Sequence, residues 1–176
     1  LKSNPAANTD SLNQLLQSLD TPELSDEHLL ASLEDWLLPH LGKENSMDKL
    51  QQLPLLSIIK SMLNWQQQQR LAELLPTHID VPSGSRIAID YAAEIPVLAA
   101  RLQEMFGLQQ TPSILKGQYN LLIHLLSPAN RPMQITQDLV SFWNNTYQEV
   151  KKEQKIKYKR HYWPDDPLQA QATSKT

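Results

Sequence analysis

The residues best suited to chemistry form a basic run near the C-terminus: Lys151, Lys152, Lys155, Lys157, Lys159 and Arg160, followed by His161, Tyr162 and Trp163. Lysine and arginine neutralise phosphate charge, and aromatic rings offer faces on which unpaired bases stack. A single-stranded nucleic acid would suit this run. So would plain solvation, because cations at a helix C-terminus complement the helix dipole. On a helix, Lys152, Lys155 and Lys159 share one stripe with Lys151 beside it, Arg160 and His161 extend it, and Tyr158, Tyr162 or Trp163 supplies an aromatic surface nearby.

Residues for a covalent or metal-assisted reaction are not grouped. With no cysteine there is no disulfide, thiolate ligand or thiol nucleophile. Four glycines, at 42, 84, 107 and 117, cannot build a phosphate loop of the G-x-x-x-x-G-K-S/T kind or a dinucleotide fingerprint. The histidines at 28, 40, 78, 124 and 161 never fall in metal-ligand spacing. Asp26-Glu27-His28 resembles an ATPase acidic box, but its histidine follows too closely and the trio reads as a first helical turn. Asp165 and Asp166 are adjacent in a Pro-bounded turn, so they point apart and read as turn-forming or cation-pairing groups. The expected site is therefore a binding edge, with no catalytic, metal or cofactor residue in the chain.

Composition sets the frame. The chain has 176 residues, 40% hydrophobic and 20% charged, the mixture of an ordinary globular protein. Its net charge of −3 is unevenly spread. Residues 1–80 carry 5 basic and 11 acidic side chains, whereas residues 81–176 carry 11 and 8. The basic excess lies on the C-terminal side and points to an acidic or polyanionic partner. No apolar run approaches the ~20 residues that span a bilayer, and the lack of cysteine fits a reducing, cytoplasmic setting. The first residue is leucine, which suggests a piece of a longer protein.

Residues 1–76 read as a small helical bundle. Leu12, Leu15, Leu16 and Leu19 mark one helix, and Ser25 caps a second through Leu29, Leu30, Leu33, Trp36 and Leu37 that Pro39 ends. Ser46 opens a third helix with Met47 and Leu50, Pro54 a fourth, and Asn64 a fifth that Pro76 stops. Gln66 to Gln69 reads as a solvated helix start.

The period changes after Pro76. Residues 77–81 and 86–91 alternate around Pro82-Ser83-Gly84-Ser85 and predict a hairpin. Residues 95–99, 119–126 and 133–135 predict three more strands, with a helix at 101–106, and His124 reads as a core residue of the fourth strand, buried on both faces. Three strands, a helix and two strands make a small β-sheet or an OB-like barrel, the oligonucleotide-binding five-stranded fold. From a Thr136 cap, a long helix to about Tyr158 places Leu139, Trp143, Tyr147, Val150 and Gln154 on one face, with Trp143 against the strand at 119–126. The fold class is α+β: a helical part at 1–76, an α+β part with the long helix at 77–163, and a flexible tail at 164–176.

Several stretches resemble the C-terminal region of HrpB-type bacterial ATP-dependent helicases, of the DEAH-box class. They are LSDEHLLASLEDWLLPHL, LLPTHIDVPSGSRIAIDY, RLQEMFGLQQTPSI, LLSPANRPMQITQDLVSFWNNTYQEVKKE and KYKRHYWPDDP, which together run from Leu24 to Pro167. The combination of LLSP-x-x-RP-x-Q-x-T-x-DL-x-x-FW with WPDDP downstream is the specific part; Lys159 stands where the family tail carries proline. The resemblance implies a non-catalytic accessory region of an ATP-dependent RNA helicase, which helps hold single-stranded RNA or braces the motor. ATP and Mg²⁺ would then belong to upstream lobes, the partners of this region, and no ATP-site residue carries over to it. A protein-interaction or scaffolding domain without nucleic-acid contact is the rival reading.

The purified chain is therefore expected to show no ATP turnover, because no loop presents successive N–H groups to a phosphate. Steady hydrolysis abolished by a point change within residues 1–176 would contradict this.

Overall fold

The computed structural model describes residues 25–41, 51 and 53–174. The expected helices around Leu12–Leu19 and Met47–Leu50 lie outside the described residues. Two compact units divide the chain, one within Leu16–Ala72 and one holding Glu73 and all described residues after it.

In the first unit, α1 (Asp26–Ala31), α2 (Leu33–Trp36), a 3-10 turn (Leu38–His40), α3 (Leu55–Ser61) and all but the last two residues of α4 (Trp65–Leu74) follow one another. The Ser25 hydroxyl accepts the His28 N–H at 3.3 Å, with Asp26 and Glu27 in the first turn, so the acidic trio is a helix start. The single helix expected to Leu37 breaks at Ser32, whose hydroxyl donates to the His28 carbonyl at 2.7 Å. Asn64 and Gln67 cap α4 reciprocally: Asn64 Oδ1 accepts the Gln67 N–H at 2.8 Å, and Gln67 Oε1 accepts the Asn64 N–H at 2.9 Å. Gln68 Nε2 donates to the carbonyls of Lys60 and Leu63, each at 2.9 Å. The glutamine run thus closes two helix ends rather than merely facing solvent.

The second unit holds a five-stranded mixed sheet and a long helix. The strands are β1 (His78–Asp80), β2 (Arg86–Asp90), β3 (Val97–Arg101), β6 (Leu122–Leu126) and β7 (Pro132–Thr136), in the spatial order β1-β2-β3-β6-β7. A short ribbon of β4 (Ser113–Ile114) and β5 (Tyr119–Asn120) lies between β3 and β6 in the chain. The hairpin forms where proline and glycine predict it, with Gly84 at φ +82° and its N–H bonded to the Val81 carbonyl at 2.8 Å. The order leaves β1 and β7 as edges, so of the two expected forms the open sheet is the one present, not a closed barrel. β3 and β6 pair in parallel, Leu98 opposite Ile123 and Ala100 opposite Leu125. Such a pair needs a crossover, here the segment 102–121, in which the expected helix shrinks to one 3-10 turn, Leu102–Glu104. Ile123 and Leu125 are fully buried, but His124 on the opposite face is only half-buried; that face carries no full cover, and the histidine is not a core residue.

Helix α5 spans residues 139–157, from an Asp138 cap whose carboxylate accepts the Ser141 N–H at 2.9 Å. Leu139, Trp143, Tyr147, Val150 and Gln154 are all buried, as the spacing predicts. Phe142–Thr146 is wound as a π-turn. The extra residue in that turn lets the neighbours Phe142 and Trp143 both enter the core. The Trp143 ring meets Phe106, Phe142 and Tyr147 at centroid distances of 6.2, 5.0 and 5.6 Å, and its Nε1–H donates to the Leu108 carbonyl at 3.0 Å.

The segment after Trp163, expected as a flexible tail, is tied to this core. Tyr147 Oη donates to the Pro164 carbonyl at 2.8 Å, and Gln148 Nε2 to the Asp165 carbonyl at 2.8 Å. Asp166 turns the chain by accepting the Leu168 N–H at 2.9 Å. Gly107 donates its N–H to Pro167 at 2.9 Å with φ +80°, and a Cβ there would lie 3.6 Å from the Ala170 carbonyl. Thr173 N–H reaches the Gln103 carbonyl at 3.0 Å. Lys151 completes the clasp: its stem is buried and its ammonium ion-pairs with the exposed carboxylate of Asp165. The hydrogen bond from Lys151, then its charge, with a smaller contribution from Lys155, hold that carboxyl below its usual range.

Trp143→Ala is expected to cost about 3–5 kcal/mol in denaturant unfolding; a loss under about 1 kcal/mol would place the ring outside the core. The Asp165 carboxyl is depressed in the folded state. Its contribution is therefore present above the ordinary aspartate value of about 3.9 and fades as pH falls through the lower folded value. The wild type should lose melting temperature over that acid range more steeply than Asp165→Asn, and parallel profiles would show that the clasp adds nothing.

Candidate nucleic-acid interface

The second half of α5, Tyr147–Lys157, sets the geometry of the basic run. Because Tyr147, Val150, Lys151 and Gln154 face the core, Lys152, Lys155 and Ile156 face outward. The helix ends at Lys157, and the next backbone bonds, Tyr158 N–H to Gln154 at 2.7 Å and His161 N–H to Tyr158 at 3.1 Å, turn the chain. Lys159 and Arg160 therefore lie beyond the helix rather than on it. Lys159 nevertheless lines the same open recess of about 530 Å³ as Lys152, Lys155 and Ile156. Ile156 is 73% exposed and lines the recess together with the carbon stems of the three lysines. Lys155 and Lys157 occupy the last turn, where their charge also complements the helix dipole.

The structure removes two of the seven sequence-derived candidates from any such surface. Lys151 is 8% exposed and committed to Asp165. Trp163 is buried and donates its Nε1–H to the Tyr158 carbonyl at 3.1 Å, so its faces are not open to a ligand. For Lys151 the cause is the Pro164–Pro167 turn, which folds back onto α5 and brings Asp165 to it. Lys152, Lys155, Lys159, Arg160 and Tyr162 remain exposed. Tyr162 is held against Phe106 in an edge contact, with centroids at 6.2 Å and planes at 85°.

Sequence reasoning missed a second polar feature beside Tyr162. Residues 171–174 and Ser83 of the hairpin turn line an open cleft of about 570 Å³ together with Tyr162. Behind the turn, Ser85 Oγ donates to the carboxylate of buried Glu104 at 2.7 Å, and Glu104 in turn accepts the Arg101 N–H at 3.3 Å. The Arg101–Glu104 contact is local, but no local pattern announces the contact between Ser85 and Glu104, 19 positions apart. Among the described residues, no three His, Asp or Glu side chains gather where they could hold a metal ion. No helix there is long and apolar enough to cross a membrane.

Residues 36–167 match the family HrpB_C, described as ATP-dependent helicase C-terminal. The chain is similar to the ATP-dependent RNA helicase HrpB of Escherichia coli (strain K12), with 48% identity over 162 residues, 92% of this chain and 20% of that protein. It also resembles the crystal structure of the E. coli DExH-box NTPase HrpB, with a TM-score of 0.84 and 44% identity over 99% of this chain and 22% of the other. A second crystal structure, of the E. coli DEAH/RHA helicase HrpB, gives a TM-score of 0.68 and 42% identity over 92% and 21%. The chain thus spans about a fifth of the length of its curated relative. With the family pattern covering its sheet, its long helix and the turn that clasps it, the chain belongs to the HrpB-type ATP-dependent helicase C-terminal family.

Proposed function

We propose that this chain is a non-catalytic accessory domain of a cytoplasmic ATP-dependent RNA helicase and that it holds single-stranded RNA by its phosphates along the outer edge of α5. The observation that carries this reading is the recess rimmed by Lys152, Lys155 and Lys159. Lys152 and Lys155 stay exposed on a helix whose opposite face is buried, and Lys159 stays exposed just past its end, whereas the neighbouring Lys151 is neutralised by Asp165. ATP and Mg²⁺ would be bound by the ATPase lobes of the same helicase, and this domain would act on the strand those lobes move.

Bracing of the lobes is a second role with its own support. The helical unit exposes Leu30, Leu56 and Trp65 at 67%, 67% and 73%, apolar side chains on three of its helices that are available to protein contact. The two roles occupy different units and do not compete.

Phosphate contacts release counterions, so log affinity falls against log salt by about 0.7 per contact on a single strand. Replacing Lys152, Lys155 and Lys159 with glutamine in the full-length helicase should flatten that slope by about 2 if all three touch phosphate. Binding should weaken about equally across sequences, because phosphates carry no sequence information. An unchanged slope and affinity would leave the run as a solvated helix end.

A further inference from the structure

We infer that the cleft bounded by Tyr162, Ser83 and residues 171–174 takes one unstacked base of the bound strand. The inference rests on the RNA-binding reading above and adds to it a base subsite next to the phosphate edge.

The character of the cleft selects its ligand. It is lined by Ser83, Tyr162, Gln171, Ala172, Thr173 and Ser174. None of these side chains is charged, so a phosphate finds no counter-charge there, and neither does a cationic ligand. What the lining residues carry is an aromatic ring together with hydroxyl and amide groups. Tyr162 is 54% exposed although Phe106 packs against it, so part of the ring remains open. Ser83 Oγ accepts the Ser85 N–H at 3.3 Å and donates to Ser85 Oγ at 3.1 Å, which leaves it a further lone pair. The exposed Gln171 amide can both donate and accept. A neutral, flat molecule with a mixed hydrogen-bonding edge matches this set, and an unpaired nucleobase is such a molecule. The cleft volume of about 570 Å³ lies within the usual range of small-ligand sites.

The walls are also held in place. Thr173 N–H bonds to the Gln103 carbonyl at 3.0 Å, and Arg101 Nη1 donates to the Ser174 carbonyl at 3.2 Å, so the segment is anchored at the end of β3. Arg101 itself is fixed by Asn130, whose Oδ1 accepts from Nε at 2.8 Å. The ring of Tyr162 is flanked in the chain by buried Trp163 and by the turn that ends at His161. A platform set in this way loses little freedom when a base stacks on it. Lys159 precedes Tyr162 by three residues, at most ~11 Å of chain, so one strand can lay its phosphates on the lysine edge and turn a base into the cleft.

The test uses the full-length helicase, a short oligouridylate and an abasic ribose-phosphate strand of equal length, with binding read by fluorescence anisotropy. Tyr162→Ala should weaken oligouridylate binding about tenfold, the order expected for loss of one stacked base, and leave the abasic strand and the salt slope unchanged. Tyr162→Phe, which keeps the ring, should restore the difference between the two strands. Gln171→Ala, at an exposed position that the fold does not need, should alter the ratio of affinities for oligouridylate and oligoadenylate. Equal loss on both strands, or no loss on either, would sink the base subsite. A flattened slope in the triple lysine variant together with a silent Tyr162→Ala would remove the subsite and keep the phosphate edge. A base-selective effect of Tyr162→Ala beside a silent lysine variant would keep the subsite and remove the edge.

Discussion

The hydroxyl of Tyr147 is the contact on which the second unit turns. Its residue is fully buried, and the group donates to one backbone carbonyl, that of Pro164. Burial pushes the phenol well above its ordinary range, with the charges of Tyr162 and Asp165 adding to the effect, so it stays a neutral donor throughout the working range of pH. A buried donor without its acceptor is costly, and the acceptor here belongs to a segment 17 residues further on. The chain after α5 must therefore fold back along the helix. Once it does, Asp165 comes to Lys151, Pro167 comes to Gly107, and residues 171–174 come to the end of β3.

The same contact decides which residues are left for a ligand. With Tyr147, Val150 and Gln154 turned inward, the remaining positions of α5 are divided by the returning segment. On one side the lysine is covered and neutralised; on the other Lys152, Lys155 and Ile156 stay open. The π-turn at Phe142–Thr146 works upstream to the same end. It brings two successive aromatic rings into the core beside Phe106, so the helix is held by its first half and can spend its second half on solvent-facing charge.

How much of this could be read from the sequence follows from how local each cause is. The buried face of α5 was legible because helical spacing is a property of the helix alone. The hairpin was legible because Pro82 and Gly84 impose their own geometry. The resemblance to the family was carried by the stretches around α5 and the Pro164–Pro167 turn, and the family match covers both. The parallel pairing of β3 with β6 was not legible, since nothing in either strand names its neighbour. The burial of Lys151 was hidden for a similar reason. A lysine in a basic run looks solvated, and its partner is a turn aspartate 14 residues away. The cation-pairing and turn-forming readings of the two aspartates both hold, one for Asp165 and the other for Asp166. Only the identity of the cation needed the fold.

The clasp also shapes the field a strand would meet. Asp165 is fully exposed, and its carboxylate feels the charge of Lys155 as well as that of Lys151. A carboxylate therefore marks one margin of the basic surface and disfavours phosphate there. The opposite margin, past Ile156 toward Lys159 and Arg160, has no such opposing charge among the residues lining its recess. A polyanion is steered by local potential more than by net charge, so a chain of net charge −3 can still present a directional basic edge. On the reading proposed here, that direction runs along the end of α5 toward Tyr162, where the charged surface gives way to an uncharged aromatic cleft. The change from charge to stacking within a few residues is what a polymer of alternating phosphates and bases can use and a uniformly charged partner cannot.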